Sequence, residues 1–158
     1  MPVGRIAVAA VIPAPVDKVW ALCSDIGRST DWFPAIRSVR PVGDQREGVG
    51  AQYEFTARNA GRTVTYRIRV TGWEEEKLIR QEIVPGSGTG LWSELLESMT
   101  VVWEYAPSEG GTRLRVAQEM KLKGLADLLT QPWLWVFDRR LYQRALRRLA
   151  EVVSEQRN

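Results

Sequence analysis

Glu109-Gly110-Gly111-Thr112-Arg113-Leu114 decides the fold. Two consecutive glycines read as a tight turn, because glycine enters positive φ at no steric cost. Before the turn, Met99, Val101, Trp103 and Tyr105 occupy alternate positions. After it, Leu114, Val116, Gln118, Met120 and Leu122 do the same. A period of two puts each set on one face of a strand, so the pair predicts a hairpin with an apolar side. Its other side carries Arg113, Arg115, Glu119, Lys121 and Lys123, and Gln118 is the polar exception on the apolar side.

Downstream of the hairpin, residues 124–129 read as a short helical lead-in interrupted at Gln131-Pro132. From Pro132, at about 100° per residue, Leu134, Phe137, Leu141, Tyr142, Ala145, Leu146, Leu149, Val152 and Val153 gather on one side of a long helix. Arg140, Arg144, Arg147, Arg148 and Glu151 gather opposite. Asp138 falls among the apolar positions, four residues from both Leu134 and Tyr142.

Upstream the reading is a strand over residues 5–12, ended by Pro13, and then a helix with Pro15 near its first turn. Val16, Val19, Trp20 and Cys23 recur at helical spacing. Residues 25–36 read as a second short helical segment, residues 36–42 as an edge strand and residues 43–50 as a loop. Tyr53, Phe55 and Ala57 then alternate with polar residues, as do Val64, Tyr66, Ile68 and Val70 after the Asn59-Ala60-Gly61 turn. Residues 77–84 form a further strand whose two faces the pattern does not distinguish. Residues 85–90 read as a flexible glycine-rich loop, without the Gly-Lys-Ser/Thr that a phosphate cradle needs.

Strand, helix, a run of hairpins and a final helix predict an α+β fold: a curved antiparallel sheet wrapped round its last helix. The 158 residues, 44% hydrophobic and 26% charged, fit one domain over residues 1–158. A net charge of +3 is no nucleic-acid tail, and no nucleic-acid partner is expected. Residues 1–12 lack the apolar core of a signal peptide, and no apolar run approaches a membrane span, so a cytoplasmic location is expected. One cysteine, Cys23, excludes an internal disulfide.

The absence of histidine excludes Ser-His-Asp and Cys-His nucleophilic sites, the HExxH zinc helix and imidazole acid–base catalysis. Any chemistry falls to Asp, Glu, Tyr, Lys or Arg, or the protein only binds. With no histidine and one cysteine, no metal site and no cofactor are expected.

At these residues the chain resembles a known superfamily. Ala14-Pro15-Val16-Asp17-Lys18-Val19-Trp20, Asp25 with Trp32-Phe33-Pro34, Gly48-Val49-Gly50 and Gly110-Gly111-Thr112-Arg113 are similar to the START/Bet v 1-like (SRPBCC) proteins. Within these, the nearest branch is the bacterial polyketide cyclase/dehydrase and lipid-transport type. The resemblance implies a helix-grip fold, with a seven-stranded antiparallel sheet, two short helices after the first strand and a long C-terminal helix over a hydrophobic cavity. It implies a lipid, isoprenoid or polyketide-like ligand, or a cofactor-free aromatase/cyclase or dehydratase. The cyclases of that superfamily place Arg, His, Tyr or Asp groups in the cavity, and this chain offers no His for that role.

The cavity is expected between residues 132–153 and the sheet faces carrying Tyr53, Tyr66, Trp103 and Gln118. The expected ligand contacts are these four with Trp135, Asp138 and Tyr142, and Asp138 is the candidate catalytic acid. A carboxylate on an apolar face must find a partner or take up a proton. The structural alternative for it is an ion pair with Arg80 or Arg139. For Gln118 it is pairing with backbone or water, and for the tyrosines and the seven tryptophans it is core packing. The apolar segments 91–96 and 132–137 read as a cavity entrance gated by residues 85–90, as a dimer surface, or as a transient membrane contact.

Overall fold

The computed structural model describes residues 4–59, 61–89 and 94–156, with backbone alone at residues 59 and 125–135. Strand β1 (Gly4–Ile12) leads into helix α1 (Val16–Cys23), a 3-10 turn (Ile26–Arg28) and helix α2 (Ser29–Trp32). Six strands follow: β2 (Ile36–Val42), β3 (Gln52–Asn59), β4 (Arg62–Glu74), β5 (Leu78–Ile83), β6 (Leu96–Ser108) and β7 (Gly111–Leu122). Helix α3 (Leu125–Gln156) closes the fold.

The strands form one antiparallel sheet in the order β1-β7-β6-β5-β4-β3-β2. Every connection from β2 to β7 is therefore a hairpin, and the first strand returns to pair with the last. The order leaves β1 and β2 as the edges. The Gly110-Gly111 hairpin pairs Ser108 with Gly111 and keeps register through Trp103 with Val116 and Val101 with Gln118. Fold class and element order agree with the sequence pattern, including the helix-grip arrangement.

Alternation in the sequence becomes alternation in burial. Tyr53, Phe55 and Ala57 are buried, as are Val101, Trp103 and Tyr105, and Leu114, Val116, Gln118, Met120 and Leu122. The helix supplies Tyr142, Ala145, Leu146, Leu149, Val152 and Val153 to the same core. Each fully buried leucine there contributes about 1.5–3 kcal/mol relative to exposure, which fixes the rotation of α3 against the sheet.

Several expectations are corrected. The break at Pro132 does not occur: α3 runs unbroken from Leu125 to Gln156. A proline removes one intrahelical N–H donor, and a helix of this length carries that loss when its other turns are packed. Phe137 is 45% exposed rather than buried; at about 100° per residue it stands a quarter turn from Asp138, at the margin of the packed face. Strand β1, apolar after Arg5, buries Ile6, Val8 and Ile12 and exposes Ala7, Ala9 and Val11.

The glycine-rich segment is pinned rather than free. Thr89 N–H donates to the Thr65 carbonyl, Val84 N–H to the Arg67 carbonyl, and the Thr65 and Arg67 amides donate to the hydroxyls of Thr89 and Ser87. Residues 85–89 thus lie along β4 as an irregular extension of the ladder. Residues 90–93, part of the expected entrance, lie outside the described residues, as do the side chains of 132–135.

Candidate functional site

A cavity of about 90 Å3 lies on the concave side of the sheet. Its walls come from β2 to β7, from the end of α1, from the 3-10 turn and from α2. Tyr142 is the one α3 residue among the described lining residues. The long helix closes the space at one point, and the short helices carry more of the wall than the sequence pattern suggested.

Of the expected contacts, Tyr66, Trp103, Gln118 and Tyr142 line this cavity. Tyr53 does not: it is buried on the same face, but its hydroxyl donates to the Arg46 carbonyl at 2.5 Å and anchors the loop before β3. Its neighbour Phe55 lines the wall instead, 5.9 Å ring to ring from Tyr66. The side chain of Trp135 lies outside the described residues.

Asp138 stands one layer behind the wall. It is buried, and its Oδ2 accepts a 2.8 Å hydrogen bond from Gln118 Nε2. Gln118 Oε1 in turn accepts from the Tyr142 hydroxyl. The glutamine that broke the β7 pattern and the aspartate that broke the helix pattern are therefore each other's partners. The ion pair expected with Arg80 or Arg139 is not what holds Asp138: Arg80 donates to Thr71 on β4, and among the described residues Asp138 has no ion pair. An amide satisfies a buried carboxylate without a second desolvated charge.

Burial sets the titration of the site. It raises the Asp138 carboxyl above its ordinary value, with the Gln118 hydrogen bond opposing. Burial, with the Asp138 charge adding to it, pushes Tyr66 to about 12 and Tyr142 well above the usual phenol range. Tyr105 is raised by burial as well, and the neighbouring Cys23 thiol reaches about 12. At neutral pH the described wall therefore offers hydroxyl, amide and thiol groups and no anion.

The sequence reading passed over Trp32, Phe33 and Gln81 as wall residues. Trp32 meets Trp103 edge-on at 5.5 Å, and Phe33 meets Tyr142 edge-on at 5.7 Å. These rings occupy much of the interior. Trp32 is 4% exposed, and its indole Nε1–H has no hydrogen-bond partner, the single such buried side-chain atom among the described residues. Gln81 lines the wall because β5 turns Ile79, Gln81 and Ile83 inward. A signal for that was present, since Ile79 and Ile83 are β-branched where the alternative face holds Arg80 and Glu82.

The model of the family described as polyketide cyclase/dehydrase and lipid transport matches residues 4–154. The chain belongs to that family. A relative, a putative polyketide cyclase of Streptomyces cyaneus, is 28% identical over 136 residues, covering 76% of this chain and 80% of that one. Among solved structures, the Zhui aromatase/cyclase of Streptomyces sp. R1128 superposes with a TM-score of 0.81 at 14% identity, over 99% of this chain and 97% of the other. A START superfamily protein of Mycobacterium smegmatis gives 0.76 at 13% identity, over 96% and 98%. A protein of Thermus thermophilus gives 0.79 at 18%, over 98% and 99%. At such identities the structural likeness speaks for the fold alone, and membership of the family leaves the chemistry to the side chains in the cavity. Among the described residues no helix is long and apolar enough to cross a membrane, and no cluster of three metal-binding side chains occurs.

Proposed function

We propose that this protein binds a neutral, largely apolar small molecule in the cavity between the sheet, the short helices and Tyr142. The observation that carries the reading is the state of the lining: aromatic and aliphatic walls whose titratable groups burial holds uncharged. A charged ligand would lose its hydration there without a counter-charge. A ligand with one hydroxyl or carbonyl would find Tyr66, Gln81 or the unpartnered Trp32 N–H. The volume favours a single ring or a short branched chain, since pockets for drug-sized ligands hold about 300–1,000 Å3. A lipid, isoprenoid or polyketide chain of greater length requires the Trp32, Phe33 and Trp103 rings to shift. The free, buried Cys23 is in keeping with a reducing cytoplasm as the place of action.

A second reading, a cofactor-free polyketide aromatase/cyclase or dehydratase, draws on Asp138. Its raised pKa suits a proton donor, and the putative polyketide cyclase of Streptomyces cyaneus supports the substrate class. Against it, Gln118 stands between the carboxylate and the cavity, and an amide is a poor proton carrier.

Titration with p-cresol and with p-hydroxybenzoate, followed by tryptophan fluorescence, separates these ideas. The binding reading expects saturable quenching by the neutral phenol and at least about tenfold weaker binding of the carboxylate, the loss of about 1.4 kcal/mol. Equal affinity for the two would overturn it. Release of water or ring closure from an aryl poly-β-ketone, lost in Asp138→Asn, would establish the enzyme instead.

A further inference from the structure

A second, larger void lies outside the site described above. It is an open groove of about 400 Å3 between β1 and α3. One wall is the run Ala7–Ile12, and the other is Arg139, Gln143, Leu146, Arg147 and Ala150. Six consecutive strand residues form a wall only when the strand presents its edge, because a face would offer alternate residues. β1 is the terminal strand of the sheet, so this edge carries backbone N–H and C=O groups with no strand partner. The helix residues fall at intervals of four, three, one and three, so they form a single stripe facing that edge.

The groove is built with one sign of charge. Arg139 and Arg147 both line it, and among the described residues no carboxylate does. Arg147 is exposed and has no ion pair or hydrogen bond among the described residues, in contrast to Arg148, which holds Glu151 and Glu155. Between the two arginines the helix wall is Gln143 and Leu146, Ala150 follows about a turn past Arg147, and Val11 of the strand is 50% exposed.

We propose that this groove takes up an extended acidic segment of another polypeptide, which adds beside β1 as a further antiparallel or parallel strand. Strand addition supplies main-chain hydrogen bonds, and side chains then select the partner. The spacing specifies it. Eight helical residues separate Arg139 from Arg147 by about 12 Å. Residues four apart on an extended strand project from one face about 13 Å apart. Acidic residues at i and i+4, with an apolar or β-branched residue between them at i+2, therefore match both arginines and the Gln143–Leu146 wall between them. A second copy of this chain is a poor occupant, since β1 carries Arg5 and no acid and would bring like charges together. The site is independent of what fills the inner cavity.

The test uses the intact protein and the acetylated, amidated heptapeptide Thr-Glu-Val-Thr-Val-Glu-Thr, labelled for fluorescence anisotropy. Saturable binding is expected, with slowed hydrogen exchange at amides of Ala7–Ile12 in NMR spectra. Arg147→Glu, on an exposed position that leaves the fold intact by circular dichroism, should weaken binding about tenfold or more. A peptide with the glutamates replaced by lysines should bind that variant better than it binds the parent. A peptide with proline in place of both the central threonine and the valine after it should fail, because adjacent residues point to opposite edges and one of the two must lose its ladder donor to β1. No binding at millimolar peptide, equal binding of the proline peptide, or protection that avoids β1 would each overturn the proposal. So would a concentration-dependent dimer in sedimentation that excludes the peptide. Unchanged p-cresol binding in Arg147→Glu keeps this result separate from the fate of the inner cavity.

Discussion

Gln118 on β7 and Asp138 on α3 are joined by a 2.8 Å hydrogen bond across the interior, and the Tyr142 hydroxyl completes the chain on the other side of the same amide. The contact orients the glutamine. Its Nε2 faces the carboxylate and its Oε1 faces the phenol, so neither end can flip without losing a partner. It also ties the last helix to the strand of the decisive hairpin by a directional bond, where leucines and valines would allow sliding.

The first prediction concerns pH. Burial raises the folded-state pKa of Asp138 above its unfolded value, so the native protein holds this proton more tightly than the unfolded chain. Stability from this group is then greatest below the unfolded carboxyl pKa and falls as pH rises through the folded value. Asp138→Asn keeps the acceptor for Gln118 and removes the titration. Its stability relative to the parent should rise between pH 4 and pH 7 in urea denaturation. A difference that stayed flat, or that shrank toward neutrality, would show that the carboxylate is stabilised by something other than Gln118.

Gln118→Leu makes the complementary case. It leaves the Asp138 carboxylate and the Tyr142 hydroxyl without their shared amide in an apolar setting, each loss costing about 1–3 kcal/mol. A fall of about 2–5 kcal/mol in unfolding free energy is expected from denaturant titration at pH 7. The double variant Gln118→Leu with Asp138→Leu should recover part of that loss, because two apolar groups leave less unsatisfied than one. A single variant as stable as the parent would refute the chain as described.

These two residues also mark how far the sequence could be read. Gln118 and Asp138 each stood out as a violation of a periodic pattern, so the polar site was visible as two anomalies. Their pairing was not, because periodicity fixes the face a residue occupies and not its position along the partner element. The fold was legible because the hairpin at Gly110-Gly111 and the stripe from Tyr142 to Val153 are local patterns. Tyr53 and Trp32 show the limit: both are aromatic residues of the interior, and only three-dimensional packing assigned one to a loop anchor and the other to the cavity wall. Pro132 shows another, since a local helix-breaking preference yielded to the packing of a long helix.

Cys23 lines the cavity beside Tyr105 with its thiol raised to about 12, so the thiolate is scarce at pH 7.5. Native protein should react with a disulfide reagent such as dithionitrobenzoate at least about a hundredfold more slowly than the protein in guanidinium, since the thiolate is the attacking species and is also shielded. Saturating p-cresol should slow it further if the phenol occupies the cavity. Fast labelling of the native state would show that the cavity opens to solvent more readily than its walls suggest.

The last prediction returns to the turn that set the fold. Gly111 has φ of +144°, and a Cβ there would sit 2.0 Å from the Ile12 carbonyl oxygen and 2.9 Å from the Ala14 amide nitrogen. Both obstacles are backbone, in the segment that leads β1 into α1, and the next residue buries a hydroxyl on the Ala14 carbonyl at 2.7 Å. Gly111→Ala must therefore push the hairpin away from β1 and break the Thr112–Ala14 bond. Gly110, with φ of +87°, meets only Val11 Cγ1 at 3.8 Å, so an alanine there carries the left-handed penalty alone. Gly110→Ala should cost about 1–2 kcal/mol, whereas Gly111→Ala should exceed about 4 kcal/mol, the range reserved for disrupted backbone packing. Both are read from urea unfolding at pH 7. Equal costs at the two positions would mean that the close approach of the β6–β7 turn to the β1–α1 connection is not what locks the first strand to the last.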